Sequence, residues 1–263
     1  MGVLPVHRRL ADLARAKEGV FLTADVEHVG MSRRQLRRLV SEGWCERVSR
    51  GVFRVVAVPR TSAHTIALAL AWHGSSAVVS HRTAGWAWGM PGFSPPGRPT
   101  VTVPLKQNRR STVADLRACG FLPPEHVVEH AGFPTTTPAR TILDLVAVAS
   151  PGHVEVVLDH AVSRRLCSLA QVQAVLFVLA RPGREGSTEI RRLLADRGEG
   201  WVAPASELER RARAEFTRAG LPDPEYEVNL GGSDWIGRVD CLWRDARLVV
   251  ELDGRTFHDG HKA

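Results

Sequence analysis

The sequence predicts an α/β (α+β) chain made of several small units. Three observations carry this. The first sixty residues hold three short helical patterns followed by two β-rich runs joined by a tight turn. The middle mixes apolar helices with short strand-like runs. Near the C-terminus two adjacent β-runs deliver several carboxylates to one place. A chain of 263 residues with 44% hydrophobic content has room for two or three modest cores.

In residues 1–58, His7 to Ala16 reads as a helix with Leu10, Leu13 and Ala14 on one face, ended by Gly19. Phe21-Leu22-Thr23 leads into a short helix that Thr23 can cap and that turns Val26 and Val29 inward. After Gly30, Ser32 caps a third helix. Leu36, Leu39 and Val40 line its inner face, and Arg33, Arg34, Arg37 and Arg38 take the rest of its surface. Trp44–Val48 and Val52–Val56 are strand-like, joined through Ser49-Arg50-Gly51. Three helices and a hairpin make a winged helix-turn-helix.

Charge follows this unit. Residues 1–60 carry 12 Lys+Arg against 6 Asp+Glu, residues 61–200 carry 14 against 10, and residues 201–263 carry 9 against 12. A polyanion is attracted to the N-terminal end. In a winged helix the third helix enters the major groove and the hairpin reaches the backbone or minor groove. The expected DNA contacts over residues 20–55 are therefore Arg33, Arg34, Arg37 and Arg38 on phosphate, Gln35 on a base edge, and Arg50 at the hairpin tip. The competing reading is a solvated arginine face on a winged helix that contacts protein.

Residues 61–150 read as a mixed α/β middle unit. His64–Trp72 is an apolar helix, Ala77–Val79 a strand, and Ser80 caps a helix holding Trp86 and Trp88. Strands follow at Thr100–Pro104 and His126–His130. Thr137-Pro138 then opens a helix that sends Ile142, Leu143 and Leu145 inward. His81-Arg82 and the tryptophans read as core packing with a helix-start polar pair, or as a binding surface. Arg109 and Arg110 are an exposed loop pair that can add phosphate contacts. Residues 151–200 are a helical connector, with patterns at 154–165, 169–179 and 187–196. His153 and His160 have no partners at metal spacing, and no phosphate loop or hydrolase elbow occurs.

In residues 205–263 Ser206 caps a last helix with Leu208, Ala212 and Phe216 inward and Glu209 toward the strands. Tyr226–Leu230 is a strand. Asp240 lies in the next strand-like run, and Leu248-Val249-Val250 delivers Glu251 and Asp253. Asp245-Ala246 lies in a tight connection, so the two runs pair as a hairpin and Asp240 and Glu251 can share a face. Carboxylates gathered in this way repel unless a cation lies between them. Hard oxygen donors suit Mg2+, which activates water for phosphodiester cleavage. The bland alternative is solvated strand-end charges beside an Asp253-Gly254 turn.

Two resemblances add to this. Leu36-Arg-Arg-Leu-Val-Ser-Glu-Gly43 and Val48-Ser-Arg-Gly-Val-Phe53 resemble the N-terminal domain of AbiEi-type antitoxins of type IV toxin–antitoxin systems. Ser80-His-Arg-Thr-Ala-Gly-Trp86-Ala-Trp-Gly89 and Thr136-Thr-Pro-Ala-Arg-Thr-Ile-Leu-Asp-Leu145 continue that likeness. It implies operator binding by the winged helix and a cognate toxin as partner. Ser206-Glu-Leu-Glu209, Ala219-Gly-Leu-Pro222, Arg238-Val-Asp240 and Val250-Glu-Leu-Asp-Gly254 with His258 resemble the very-short-patch-repair-like nucleases of the PD-(D/E)XK superfamily. That implies a partial restriction-endonuclease-like C-terminus with Asp240 and Glu251 as metal ligands. Glu209, Asp253 and His258 complete its catalytic set. Two departures accompany the second likeness. The usual Glu-x-Lys is Glu251-Leu-Asp253, and the superfamily core runs on through a helix, a strand and a helix where this sequence ends at Ala263, which implies a truncated domain.

No apolar run reaches membrane-spanning length, no secretory signal is evident, and the four scattered cysteines fit a reducing cytoplasm. The expectation is a DNA-binding regulator of antitoxin type, compatible with a homodimer. An Mg2+-dependent endonuclease and a partner-binding protein are the alternatives.

Overall fold

The computed structural model describes residues 6–107, 111–179, 187–197, 204, 207–231 and 237–252. At the N-terminus, helices α1 (Val6–Ala16), α2 (Thr23–His28) and α3 (Arg33–Ser41) pack on an antiparallel sheet. Its strands β1 (Val20–Leu22), β2 (Cys45–Ser49) and β3 (Val52–Val55) lie in the order β1-β3-β2. Leu10, Phe21, Val26, Leu36, Leu39 and Phe53 form one buried cluster. Phe21 and Phe53, cross-strand partners in the β1–β3 ladder, stack with centroids 5.4 Å apart. Leu10 and Ala14, and Leu36 and Leu39, are the buried residues of their helices, whereas Val40, expected on the inner face of α3, is exposed.

Two local expectations change here. Residues 20–22 form β1 rather than a lead-in to the helix, because β3 is available to pair with them. Thr23 does not cap α2; the Asp25 carboxylate accepts the Leu22 amide at 2.8 Å instead. Gly19 makes the sharp turn between α1 and β1 at φ +80°, and a Cβ there would meet Val58 at 2.8 Å.

The middle sheet has five strands, ordered β6-β5-β4-β8-β7. These are β4 (Val78–Val79), β5 (Thr100–Pro104), β6 (Asp115–Cys119), β7 (Val127–His130) and β8 (Phe133–Thr136). The β5–β6 and β4–β8 pairs are parallel and the others antiparallel. Helices α4 (Ser62–His73), α5 (His81–Ala87) and α6 (Pro138–Leu145) accompany the sheet. The expected strands at 77–79, 100–104 and 126–130 are present to within a residue, whereas β6 and β8 were not anticipated. β6 reads Asp-Leu-Arg-Ala-Cys, which holds none of the β-branched or aromatic residues that favour strands. Ser80 sits at the start of α5 without capping it, its hydroxyl being engaged by Thr102 at 2.8 Å. Thr137 does cap α6, accepting the Arg140 amide at 3.4 Å, with Pro138 in the first turn.

Helices α7 (Pro151–Ser163), α8 (Leu169–Leu179) and α9 (Ser187–Ala195) follow the expected pattern. They share one apolar core with α6, in which Ile142, Leu145, Leu158, Val172, Ile190 and Leu193 are buried together. The buried Arg197 guanidinium ties the end of α9 to α7 through Asp159 at 2.6 Å and Glu155 at 3.1 Å.

The C-terminal group has helix α10 (Glu207–Arg218) and an antiparallel sheet ordered β11-β10-β9. Its strands are β9 (Glu225–Leu230), β10 (Gly237–Trp243) and β11 (Leu248–Val250). The β10–β11 hairpin is the expected one, turning through residues 244–247. Helix α10 meets the sheet through Arg213, whose guanidinium lies 3.6 Å from the Tyr226 ring centre, and through Phe216, edge-on to Trp243 at 5.0 Å. Leu208 was expected inward but is exposed. Among the described residues no helix is long and apolar enough to cross a membrane.

Candidate nucleic-acid interface and carboxylate pair

Helix α3 is set by its two ends and its buried stripe. At its start the Ser32 hydroxyl accepts the Gln35 amide at 3.3 Å, and the Gln35 side-chain oxygen accepts from the Ser32 amide at 2.8 Å. This capping box satisfies two backbone donors that the first turn would otherwise leave open. Leu36 and Leu39 then face the core, which sends Arg33, Arg34, Arg37 and Arg38 outward, and all four are exposed. Gln35 is also exposed, but its carbonyl oxygen is occupied in the cap. Only its amide N–H groups are left for an acceptor on a base.

The arginines differ in their engagement. Arg38 donates to Glu42 at 2.6 Å, one turn along the helix, and Arg33 lies 4.0 Å from Glu27. Both pairs are exposed and screened by solvent, so they add little to stability and are easily exchanged for another anion. Arg34, Arg37 and Arg50 have no ion-pair partner among the described residues. Arg50 stands exposed at the β2–β3 turn, where Gly51 takes φ +81°. The Gly51 carbonyl accepts the Thr23 amide at 2.9 Å. That bond ties the hairpin tip to the start of α2 and so fixes its position relative to the helices. Arg47, on the same hairpin, is a further exposed cation that the sequence reading passed over. Arg54 is not available: it is buried and bonded to Glu46.

At the other end of the chain, the β10–β11 register runs Trp243–Leu248, Leu242–Val249, Cys241–Val250. One step further Asp240 and Glu251 face each other. The Glu251 carboxylate accepts the Asp240 amide at 3.3 Å, and the Asp240 carboxylate accepts the Leu252 amide at 2.8 Å. Burial pushes the Cys241 thiol upward, and the neighbouring Asp240, Glu209 and Glu251 carboxylates add to the shift against Arg213. All three carboxylates are thus electrostatic neighbours of one side chain. Among the described residues, however, no group of three or more His, Cys, Asp or Glu is arranged to hold a metal ion. Asp253 and His258 lie outside the described residues, as do Ser206, Arg109 and Arg110.

The chain resembles in fold the crystal structure of the RV2827C protein from Mycobacterium tuberculosis, at a TM-score of 0.51 and 16% identity over 73% of this chain and 78% of that one. No curated protein matches the sequence. The motifs at 80–89 and 136–145 and the nuclease-like signature lie outside the residues that the matching family model covers. Residues 8–56, which span nearly all of the three-helix and hairpin unit, match the family of the AbiEi antitoxin, described as a transcriptional regulator.

Proposed function

We propose that this chain is a DNA-binding transcriptional regulator of antitoxin type, with residues 1–58 acting as a winged helix-turn-helix and a cognate toxin as its protein partner. One observation carries the reading: the regulator-family match falls on a unit whose third helix buries its leucines and turns four arginines to solvent. In this reading α3 lies in the major groove, with Arg33, Arg34, Arg37 and Arg38 on phosphates and Gln35 at a base edge. Arg50 makes the hairpin contact. The test is DNA binding by gel shift across a salt series, with the wild type beside Arg34→Ala/Arg37→Ala/Arg50→Ala. Retention of full, salt-sensitive affinity by the triple variant would overturn it.

A second reading, metal-dependent DNA cleavage, rests on the juxtaposition of Asp240 and Glu251 across the hairpin. Two carboxylates are a donor set that fits Mg2+, which takes most of its remaining ligands from water. When bound there the ion would supply an activated hydroxide. Glu209 would support the site, with Asp253 and His258 as its remaining members. Plasmid nicking that needs Mg2+ and disappears in Glu251→Ala supports this reading, and an intact plasmid with both proteins ends it.

A further inference from the structure

A cavity of about 420 Å3 opens between β6, α5 and α6, away from the arginine helix and from the carboxylate pair. Its wall contains an unusual amount of buried polar chemistry. Arg140, only 1% exposed, projects from α6 and bonds Asp144 through Nε at 2.9 Å. One terminal nitrogen reaches His126 Nδ1 at 3.3 Å and the other the Cys119 sulfur at 3.4 Å. A guanidinium has five N–H donors. Three of them find partners among the described residues, which leaves two on a group buried at the cavity wall.

Another part of the lining is held in an uncommon conformation. His81, buried and lining the cavity, has φ +49° at the junction of β4 and α5. A side chain other than glycine keeps such a backbone only when its surroundings enforce it, and such residues cluster at ligand sites. Here the enforcement is visible: Thr102 donates to the Ser80 hydroxyl at 2.8 Å, and that oxygen lies 2.9 Å from His81 Nδ1. Arg117, exposed on edge strand β6, adds to the lining a cation with no ion-pair partner among the described residues. Arg140 is balanced by Asp144, so Arg117 gives the lining its net positive charge.

We infer that this cavity is a binding site for a small anion, the phosphate or carboxylate group of a compact metabolite, seated between Arg117 and the spare N–H groups of Arg140 with His81 in the same lining. The inference is independent of the DNA-binding reading. Cys119 reports on the site, because it lines the cavity and is part-exposed while Cys45, Cys167 and Cys241 are buried. Burial further suppresses Cys45 and Cys167, pushing each thiol to about 11.

The full chain is treated with iodoacetate or iodoacetamide, and alkylation of Cys119 is followed by peptide mass spectrometry. In either reaction the sulfur displaces iodide and its proton goes to buffer. The cations at the site raise the iodoacetate-to-iodoacetamide rate ratio by about three- to tenfold over the same cysteine in the urea-unfolded chain. Inorganic phosphate, malonate, or both slow the reaction, and the comparison tells a phosphate site from a carboxylate site. Arg117→Ala, at an exposed position that leaves the fold intact, weakens that protection. The inference is overturned if neither anion protects at up to about 50 mM, far above a millimolar Kd. It is equally overturned if chloride at the same ionic strength protects as well, or if Arg117→Ala leaves protection unchanged.

Discussion

Removing Arg34, Arg37 and Arg50 together is the sharpest test of how the N-terminal unit meets DNA. The three are exposed and lack ion-pair partners among the described residues, so their loss leaves no buried charge and breaks no ion pair. Each exposed substitution should alter stability by no more than about 0.5 kcal/mol. Their effect on binding is much larger. Each phosphate contact contributes about 0.9 to the slope of log K against log salt, so three lost contacts flatten it by about 2.7. At about 0.1 M salt the same three contacts account for about 500-fold in affinity. The assay is fluorescence anisotropy with a labelled duplex over a salt series, which needs no knowledge of the operator because this term is independent of sequence. Arg165→Ala/Arg191→Ala/Arg247→Ala removes the same charge from exposed positions elsewhere and serves as the control. If both triple variants flatten the slope equally, binding reads only net charge. If the α3 and hairpin variant changes the slope by less than about one, these arginines do not contact phosphate and the reasoning fails.

Three further outcomes follow from the packing. Ser32→Ala removes the hydroxyl that accepts the Gln35 amide, and thermal or urea unfolding should show a loss of about 1 kcal/mol; no loss would mean the cap is not formed in solution. Arg140→Ala leaves the Asp144 carboxylate buried without its guanidinium, and urea unfolding should show a loss of about 3–5 kcal/mol, with a neutral result refuting the buried pair. His160 is held below its ordinary pKa, mainly by burial and secondarily by Arg164. The unfolded chain therefore binds the proton more readily. The histidine's contribution is fully present above pH about 6.5 and is lost as pH falls from there through the folded pKa. His160→Gln should flatten the decline in melting temperature between about pH 7 and pH 5, and an unchanged pH profile would refute the assignment.

Much of this molecule was legible in residue order because its signals are local. Helix α3 is written in Ser32, Gly43 and the spacing of Leu36 and Leu39. Fixing which residues point inward also fixes which arginines point outward. The β10–β11 hairpin was equally readable, since two short β-runs around a tight turn have one simple way to pair, and that pairing brings Asp240 to Glu251.

The tertiary structure decided what depends on partners distant in sequence. Strand β1 is three residues long and has no periodicity of its own; it exists because β3 offers it a ladder. Strand β6 is formed by its parallel pairing with β5, which the weak β character of Asp-Leu-Arg-Ala-Cys could not announce. His81 and Arg140 looked like a helix-start residue and one more arginine in a motif. Only when the sheet set β6 and its Cys119 beside α6, and the turn after β4 forced His81 into a left-handed backbone, did they line one cavity. A sequence records the preferences of each segment. Which polar groups are buried together depends on long-range contacts, and those are settled only when the cores close.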